Sequence, residues 1–575
     1  FDHRHIFIDP DPDAAHSWAE RQRLFDLPRS SWAEYSSALI SKGGGVWPRS
    51  VKTIALSAEA QGVLGVDRAQ LSPNALVSAI LRAPVDLVYN GGIGTYVKAS
   101  DESQLEVGDR ANDAVRIDGA MLRCKVFAEG GNLGVTQRGR IEFARAGGRI
   151  NTDAIDNSAG VATSDHEVNI KILLGLAVAD GELTVKQRDK LLGEMTADIA
   201  ALVLRDNYFQ TQSLSIARRM GVRLLDAQTR FMRTLEKNGR LNRAIEFLPD
   251  DEELDARRTR GEGLSTPEAA VLLAYAKLWL YDELLASPLP DDPWIATALE
   301  RYFPARLRET HGASMARHPL RREIITSHVV NSMVNRVGSS FVHGFVDSSG
   351  ASPVEVVRAY FLQREIFDFI PQWHAIEALD NRVPDAAQAD MLILGGRLTV
   401  RATAWFLRSA RLGEDMAATI AHFRPRVATV SAGLSAWLDA DSRAQLDAQA
   451  EAFSTRGVPE ALARCVAATE YLFGALDIVE VAGRARLPEA CVAGVYFGVT
   501  EALDVPWLRE CIGKLPGEGH WPTLARAALR DDLAGLQRDL TAQVVDRGGG
   551  GAPGGATPQE LLAAWRDDRS QASAK

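Results

Sequence analysis

Two patterns of apolar and polar positions divide this chain. In residues 1–165, short apolar runs end in Gly, Asn or Asp, which is typical of buried strands that lead into turns. Such strands are predicted at residues 4–8, 85–89, 124–128 and 149–152. Helical spacing lies between them, at residues 74–81 and 138–146. Alternating strands and helices predict an α/β fold built around a mostly parallel sheet.

The pattern changes near residue 166, where apolar positions begin to recur every three or four residues. Leu191, Met195 and Ile199 illustrate this spacing, which predicts amphipathic helices. The predicted fold class is therefore α/β followed by all-α. We divide the chain into residues 1–165, an all-helical region at 166–545 and a flexible, Gly-rich tail at 546–575.

Composition narrows the classes of function. The 575 residues are 46% hydrophobic and 24% charged, as in ordinary globular proteins. A net charge of −10 argues against a nucleic-acid partner, and no apolar run is long enough to predict a membrane span. Four cysteines without CxxC spacing favour a reducing compartment, so we expect a cytoplasmic protein. The chain opens on Phe1, as a processed mature protein or a part of a longer polypeptide would, and for a reason given below we expect the second.

Candidate chemistry lies where the predicted strands end. Asp9 comes at the end of the first strand. Asn90 and Gly91 come at the end of the second, and Asn132 follows the third. Ligands bind at the carboxyl edge of a parallel sheet, and an apolar core needs none of these residues. Asp9 has the position of a ribose-binding acid, although local pattern alone favours an ordinary turn acid. Glycine turns such as the one at Gly91 let backbone approach a ligand, but they are also common without one.

A second candidate pair, Asn157 and Ser164, is seven residues apart. Seven residues are about two helical turns, so both side chains face one side of the predicted helix. Helix capping alone would explain Asn157, whereas Ser164 in mid-helix is harder to explain because serine is a mediocre helix former. His3 and His5 share one face of the first strand, but two histidines without a third ligand do not predict a metal site.

Longer stretches carry a family resemblance. Residues 128–132 (AEGGN) and 157–161 (NSAGV) resemble the A-E-G-A-N and N-A-G-G-V motifs of the amino-acid dehydrogenase superfamily. The stretches DLVYNGGIGTYVKA, NTDAIDNSAGVATSDHEVN and LVLRDNYFQTQSLSIARR are similar to the large bacterial NAD-specific glutamate dehydrogenases. This resemblance runs from Phe1 to about residue 545. It implies NAD-dependent oxidative deamination of L-glutamate to 2-oxoglutarate and ammonium.

The resemblance also implies roles for five cofactor-binding residues. Asp9 would bond the adenosine ribose of NAD. Asn90 and Gly91 would lie against the cofactor, and Asn132 and Asn157 would bond its nicotinamide end. These roles define an incomplete, Rossmann-like dinucleotide-binding domain at residues 1–165.

Two further residues would serve the substrate. Val161 would touch it, and Ser164 would bond its side-chain carboxylate. Relatives that oxidise leucine or valine place an apolar residue at this position, whereas a hydroxyl suits a carboxylate that would be costly to bury unpaired. Two departures from the motifs, Gly131 for Ala and Ser158-Ala159 for Ala-Gly, exchange one small residue for another.

The resemblance leaves a gap. The family's catalytic lysine, its acid/base aspartate and its Gly-rich phosphate loop belong to segments that precede this region, and nothing in this chain matches them. We therefore assign no catalytic residue here, expect the first strand of the dinucleotide-binding domain to be missing, and expect the isolated chain to have no turnover. The full protein is expected to be a homo-oligomer.

Two alternatives stay open on the sequence alone. The first is a catalytically silent scaffold or regulatory subunit that keeps the α/β fold. The second is a dehydrogenase of another amino acid.

Overall fold

A computed structural model of the chain describes residues 1–92, 94–515, 519–548 and 557–573. It divides into two compact units. Unit 1 comprises Phe1–Leu225, Met232–Tyr275 and Phe303–Leu320. Unit 2 comprises Asp226–Phe231, Ala276–Tyr302 and Arg321–Lys575. The predicted boundary at residue 165 lies inside a helix of unit 1, which continues well beyond it.

The strands of the described residues are short and all belong to the first part of the chain. They are β1 (His5–Ile8), β2 (Gly45–Pro48), β3 (Ile54–Ala55), β4 (Gln70–Leu71), β5 (Leu87–Asn90), β6 (Val97–Lys98), β7 (Ile117–Asp118) and β8 (Val126–Glu129). Single 3-10 turns occur at Trp32–Glu34, Ser37–Leu39, Arg110–Asn112, Gly119–Met121, Leu289–Asp291, Ile295–Thr297 and Ala410–Gly413.

The α-helices account for most of the chain. Up to Arg260 they are α1 (Ala14–Asp26), α2 (Ala58–Leu64), α3 (Pro73–Leu81), α4 (Gln104–Val107), α5 (Gln137–Arg145), α6 (Asp153–Asp156), α7 (Ser158–Ala179), α8 (Val185–Glu194), α9 (Thr196–Met220), α10 (Val222–Lys237) and α11 (Asp251–Arg260). Beyond it they are α12 (Thr266–Leu285), α13 (Ala298–Tyr302), α14 (Ala305–Met315), α15 (Arg321–Val337), α16 (Phe341–Ser349), α17 (Pro353–Ile366), α18 (Phe369–Glu377), α19 (Asp385–Arg408), α20 (Met416–Trp437), α21 (Ala440–Ser454), α22 (Glu460–Ala468), α23 (Gly474–Ala485), α24 (Glu489–Ala502), α25 (Val505–Lys514), α26 (His520–Gly548) and α27 (Pro558–Ser573).

A large helical C-terminal region is confirmed, because the described residues beyond β8 form helices and contain no strand. Residues 549–556 of the predicted flexible tail lie outside the described residues, and α27 occupies part of the rest. Within the described ranges, no helix is both long and apolar enough to cross a bilayer.

The strand pairing in unit 1 departs from a mostly parallel sheet. β5 pairs in parallel with β8, and β6 pairs in parallel with β7. β1, however, pairs antiparallel with β2, and β3 pairs antiparallel with β4. The predicted strand at residues 149–152 is reduced to a single parallel bridge between Arg149 and Val126.

Aromatic packing explains the antiparallel return to β1. The ring of Phe7 in β1 stacks on Trp32 at a centroid distance of 4.8 Å, and Tyr35 lies 4.6 Å from Phe7. Trp32 and Tyr35 both belong to the connection that follows α1, so this connection is held beside β1. The chain then returns antiparallel to β1 as β2. The opening strand is therefore confirmed as a strand, but its expected place among parallel neighbours is wrong.

The apolar core of unit 1 lies under these strand pairs. Fully buried side chains from β1, β3, α3, β6, β8 and α5 form one cluster, which includes Ile6, Ile54, Leu76, Val97, Phe127 and Phe143. Burial of such side chains stabilises the fold by roughly 1.5–3 kcal/mol each. The cluster fixes β5 and β8 from one face and so positions the turns that follow these strands.

Unit 2 buries a carboxyl group in its helical core. Asp477 of α23 is 2% exposed and accepts a hydrogen bond of 2.8 Å from Nε1 of Trp405. The guanidinium of Arg538 lies 4.0 Å from the same carboxylate oxygen. Burial raises the pKa of Asp477 to about 6, and the bond from Trp405 and the charge of Arg538 offset only part of that rise.

We predict that Asp477 makes unit 2 lose stability as the pH rises. The pKa of Asp477 is near 6 in the folded state and near 4 in the unfolded state. Between pH 4 and pH 6 the folded protein therefore holds a proton on Asp477 that the unfolded protein has lost. Relative to Asp477→Asn, the wild type should therefore lose up to about 3 kcal/mol of unfolding free energy between pH 4 and pH 7.5. Urea denaturation at both pH values measures this, with Asp546→Asn on the surface as the control. Equal pH dependence of wild type and Asp477→Asn would contradict the prediction.

Candidate functional site

The carboxyl ends of β5 and β8 lie side by side. Asn90 is in register with Glu129, and each strand ends at that residue. The backbone N–H groups of Gly130 and Gly131 both donate to the carbonyl oxygen of Asn90, over 2.8 Å and 3.0 Å. Two of the predicted strand-end turns therefore form one joined edge, as the parallel pairing predicts.

Gly131 allows the two turns to touch. A Cβ atom at this position would lie 2.4 Å from the carbonyl oxygen of Gly92, closer than side-chain atoms ever approach backbone. The alanine that stands here in the family motif would push the turns apart. Glycine in place of alanine at position 131 is thus a small change in volume, but it allows the backbones of the two turns to be in direct contact.

The turn after β8 is held by two hydrogen bonds at Leu133. Leu133 adopts a left-handed backbone with φ of 57°, a strained conformation for a branched residue. Its carbonyl oxygen accepts from the hydroxyl of Thr95 at 2.7 Å, and its N–H donates to Asp153 at 2.8 Å. Asn132, immediately before it, is exposed.

The structure brings Asn132 and Asn157 together. Nδ2 of Asn157 donates to Oδ1 of Asn132 over 2.8 Å. Asn157 stands between α6 and α7 but makes no side-chain cap to either helix, so the capping explanation for this residue is wrong. Its own Oδ1 lies 3.0 Å from the place a Cβ of Gly160 would occupy, so glycine there leaves room for the amide.

The substrate candidates continue from Asn157 along α7. Val161 is 76% exposed, and Ser164 is also exposed. Positions 157, 161 and 164 follow the four- and three-residue spacing of one helix face. The opposite face carries Ile170 and Leu173, which are completely buried. The three predicted residues therefore form one outward-facing stripe that begins at the pair of asparagines.

A buried ion pair under this edge was not predicted from the sequence. Both carboxylate oxygens of Glu129 accept from Arg140 of α5, over 2.7 Å and 2.9 Å, and the Glu129 side chain is fully buried. Arg140 also lies 3.2 Å from Asp153. Burial alone would lower the pKa of Arg140, but its bonds to Glu129 outweigh that and raise it. The signal in the sequence is an acidic residue at the end of a buried strand, with an arginine in the helix that follows.

Asp156 links the same edge to the start of α7. Its Oδ2 accepts from the backbone N–H of Glu129 at 3.0 Å, and its Oδ1 accepts from Asn151 at 2.8 Å. Burial raises the pKa of Asp156, and its hydrogen bonds offset part of the rise. The turn that carries Asn157 is thereby tied to the end of β8.

Asp9 lies apart from the asparagine pair, with no described contact to it. Its Oδ1 accepts from the backbone N–H of Ser41 at 3.0 Å and from the Ser41 hydroxyl. Its Oδ2 is buried and has no hydrogen-bond partner among the described residues. The structure therefore groups the predicted residues into an Asn90–Asn132–Asn157 edge and a separate acid at the end of β1.

Orphaned polar atoms indicate that these residues fit a polar ligand. Nδ2 of Asn90 and Oδ2 of Asp9 are both buried without partners in the part of the chain that the structure describes. Leaving such a donor or acceptor unpaired costs about 1–3 kcal/mol. The bond between Asn132 and Asn157 uses Oδ1 of Asn132 and Nδ2 of Asn157. It leaves Nδ2 of Asn132 as a donor and Oδ1 of Asn157 as an acceptor for a further carboxamide. Among the described residues, no group of His, Cys, Asp and Glu is arranged to hold a metal ion.

The lysines near the motifs are already engaged in ion pairs. Lys98 is buried and bonds Asp118, Lys125 lies 2.6 Å from Asp86, and Lys171 pairs with Glu167. None of these pairs involves the asparagine edge.

Two family models match the chain. One, described as glutamate dehydrogenase, C-terminal, matches residues 261–575, and the other, described as bacterial NAD-glutamate dehydrogenase, catalytic domain, matches residues 1–217. The chain belongs to the bacterial NAD-glutamate dehydrogenase family. This confirms the resemblance noted from the motifs.

Curated members of the NAD-glutamate dehydrogenase family match over nearly the whole chain. Proteins named NAD-specific glutamate dehydrogenase are 46% identical in Halomonas elongata and 48% identical in Pseudomonas aeruginosa, over 96% and 95% of this chain and 34% of each relative. The protein of that name from Mycobacterium tuberculosis is 43% identical over 98% of this chain and 35% of its own length. The chain thus spans about a third of the curated relatives it matches.

Proposed function

We propose that this chain is part of an enzyme that oxidises L-glutamate with NAD⁺ and water to 2-oxoglutarate, ammonium and NADH. The observation that carries the proposal is the contact of Asn132 with Asn157 at the joined ends of the parallel strands. The names of the relatives support the same reaction. Family membership does not favour the silent scaffold considered above.

In this proposal the asparagine edge orients the cofactor. Bound NAD⁺ supplies the acceptor for the hydride that leaves the substrate's α-carbon. Asn132 and Asn157 bond the nicotinamide carboxamide through the donor and acceptor that their mutual contact leaves over. Asn90 and Gly91 lie against the cofactor, and Asp9 bonds the adenosine ribose through Oδ2. A fixed ring face is what hydride transfer needs, because the reaction depends on alignment of the reacting atoms.

The stripe on α7 serves the substrate. Val161 contacts the aliphatic part of glutamate, and the hydroxyl of Ser164 donates to its side-chain carboxylate. These residues only bind and orient. The catalytic lysine, the acid/base aspartate and the phosphate loop are proposed to come from the two-thirds of the relatives' length that this chain does not span.

The dinucleotide-binding region is proposed to be Rossmann-like within residues 1–165. The parallel pair β5–β8 and the parallel bridge at Arg149 support this, since they place three chain segments side by side in one direction. Leu87 and Tyr89 of β5 are 54% and 66% exposed, and in the described residues β5 pairs with a strand on one side only. The one-sided pairing supports an added strand at this edge, and the two exposed side chains, which stand on one face of β5, support a further segment that covers that face.

The setting of the enzyme is also a proposal. All four cysteines are free thiols, which supports the reducing environment of the cytoplasm. We further propose that the full-length protein is a homo-oligomer and that the helices of residues 166–545 contribute to its assembly or regulation.

The proposal is tested by comparing the full-length polypeptide with the isolated 575-residue chain. We expect the full-length protein to form NADH from NAD⁺ and L-glutamate, with L-leucine as a poor substrate, because Ser164 suits a carboxylate. We expect no glutamate-dependent NADH from the isolated chain, because it carries only binding residues. Absorbance at the NADH band measures both. A full-length protein without glutamate-dependent activity would refute the function, and turnover by the isolated chain would refute the assignment of roles.

A further inference from the structure

A polar side chain interrupts the apolar face of α9. Ile199, Val203 and Leu214 of this helix are buried, and Asn207 falls on the same face by spacing of four and seven residues. Helix α9 packs against α6 and α7. A polar group at such a position is costly unless its hydrogen bonds are satisfied.

Asn207 satisfies both of its amide hydrogens on the turn that carries Asn157. Its Nδ2 donates to the carbonyl oxygen of Ile155 over 2.8 Å and to the hydroxyl oxygen of Ser158 over 2.9 Å. Ile155 lies in the last turn of α6, and Ser158 is the first residue of α7. The two acceptors therefore lie on either side of Asn157 along the chain.

This arrangement frees the side chain of Asn157. An asparagine before a helix ordinarily caps it by accepting from backbone N–H groups, and Asn157 makes no such bond. Asn207 instead fixes the turn from a neighbouring helix, so the amide of Asn157 can reach Asn132.

We infer that Asn207 is a positioning residue for Asn157. The inference rests on the proposed function, because its effect on the reaction depends on Asn157 orienting the nicotinamide. Loss of the two hydrogen bonds would let the turn between α6 and α7 shift. A shift of about 1 Å at a group that aligns reacting atoms slows the chemical step by about 10- to 100-fold.

The test uses two substitutions in the full-length enzyme. Asn207→Leu removes both hydrogen bonds but continues the apolar face of α9, so folding should be retained. Asn207→Asp keeps the shape and removes the donors. Asn238→Asp, the same exchange at an exposed helix end of unit 1, is the matched control. Each variant is assayed for kcat, for KM and for the isotope effect on kcat with glutamate deuterated at the α-carbon.

We expect both Asn207 variants to lose kcat about tenfold or more, with a larger isotope effect and a smaller change in KM for glutamate. A larger isotope effect means that hydride transfer itself has slowed, which a simple loss of folded enzyme would not cause. Adding Ser158→Ala to Asn207→Leu should cost less than the two single effects combined, because the two residues share a bond.

Unchanged kcat and isotope effect in both variants would overturn the inference, as would a loss of activity that only follows the fraction of unfolded protein. If the wild-type enzyme itself fails to oxidise glutamate with NAD⁺, the proposed function fails instead. The two failures are therefore distinguishable.

Discussion

Replacing Arg140 with methionine is expected to destabilise unit 1 by about 3–5 kcal/mol. The substitution keeps most of the side-chain volume but leaves the Glu129 carboxylate fully buried without its partner. Breaking a buried pair from one side is costly, because the remaining charge is neither solvated nor compensated. Urea denaturation of the isolated chain measures the change in the unfolding free energy of unit 1.

Two companion variants separate the ion pair from general effects. Arg138→Met removes a guanidinium two residues away that pairs with the exposed Asp101, so it should change stability by less than about 1 kcal/mol. Glu129→Gln combined with Arg140→Met should recover most of the loss, because glutamine is neutral and its carbonyl can still accept from the N–H of Val135. If Arg140→Met were no less stable than Arg138→Met, the ion pair would not support the edge as described.

Replacing Ser164 with valine in the full-length enzyme is expected to lower kcat/KM for glutamate by about 10²- to 10³-fold. Valine removes the hydroxyl that we propose as the donor to the side-chain carboxylate and puts an apolar group in its place. A carboxylate that is removed from water without a donor costs several kcal/mol. Activity with leucine should fall much less or rise, because leucine has no charge to satisfy. Initial rates with both amino acids measure the change in specificity.

Thr163→Val is the matched control for this experiment. It removes a hydroxyl from the neighbouring residue of α7, where Oγ1 donates to the carbonyl oxygen of Ala159. That position points to a different side of the helix, about 100° away. The control should keep glutamate activity within a few-fold of wild type. Equal losses in both variants, or retention of glutamate specificity in Ser164→Val, would remove Ser164 from the substrate site.

Local sequence pattern predicted which segments of unit 1 form its central strands and the helices beside them. The strands near residues 85–89 and 124–128 and the helices near 74–81 and 138–146 all appear within three residues of their predicted bounds. The pairing of β1 could not be predicted in this way. It depends on aromatic contacts between Phe7 and residues about 25 positions later, and turn signals do not encode such contacts.

The candidate site likewise has a part that the sequence predicted and a part that it did not. Motif order and helical spacing predicted that Asn157 lies at a helix start and that Ser164 faces the same side, and the structure places Asn157 directly before α7 and Ser164 within it. The bonds that hold the start of the stripe on α7 come from far along the chain, from Asn207 of α9, and the edge beside it is held by the buried pair of Arg140 with Glu129. Such residues carry no motif of their own, so only the folded arrangement identifies them.

The contact of Gly131 with the Gly92 carbonyl links two positions that would otherwise vary independently. A chain that gains alanine at 131 must also move the turn after β5, so the two sites are expected to change together during evolution. Family members that carry the alanine of the A-E-G-A-N motif should therefore hold this turn further from the end of β8. In such members the distance between the backbones of the two turns would be larger than in this chain.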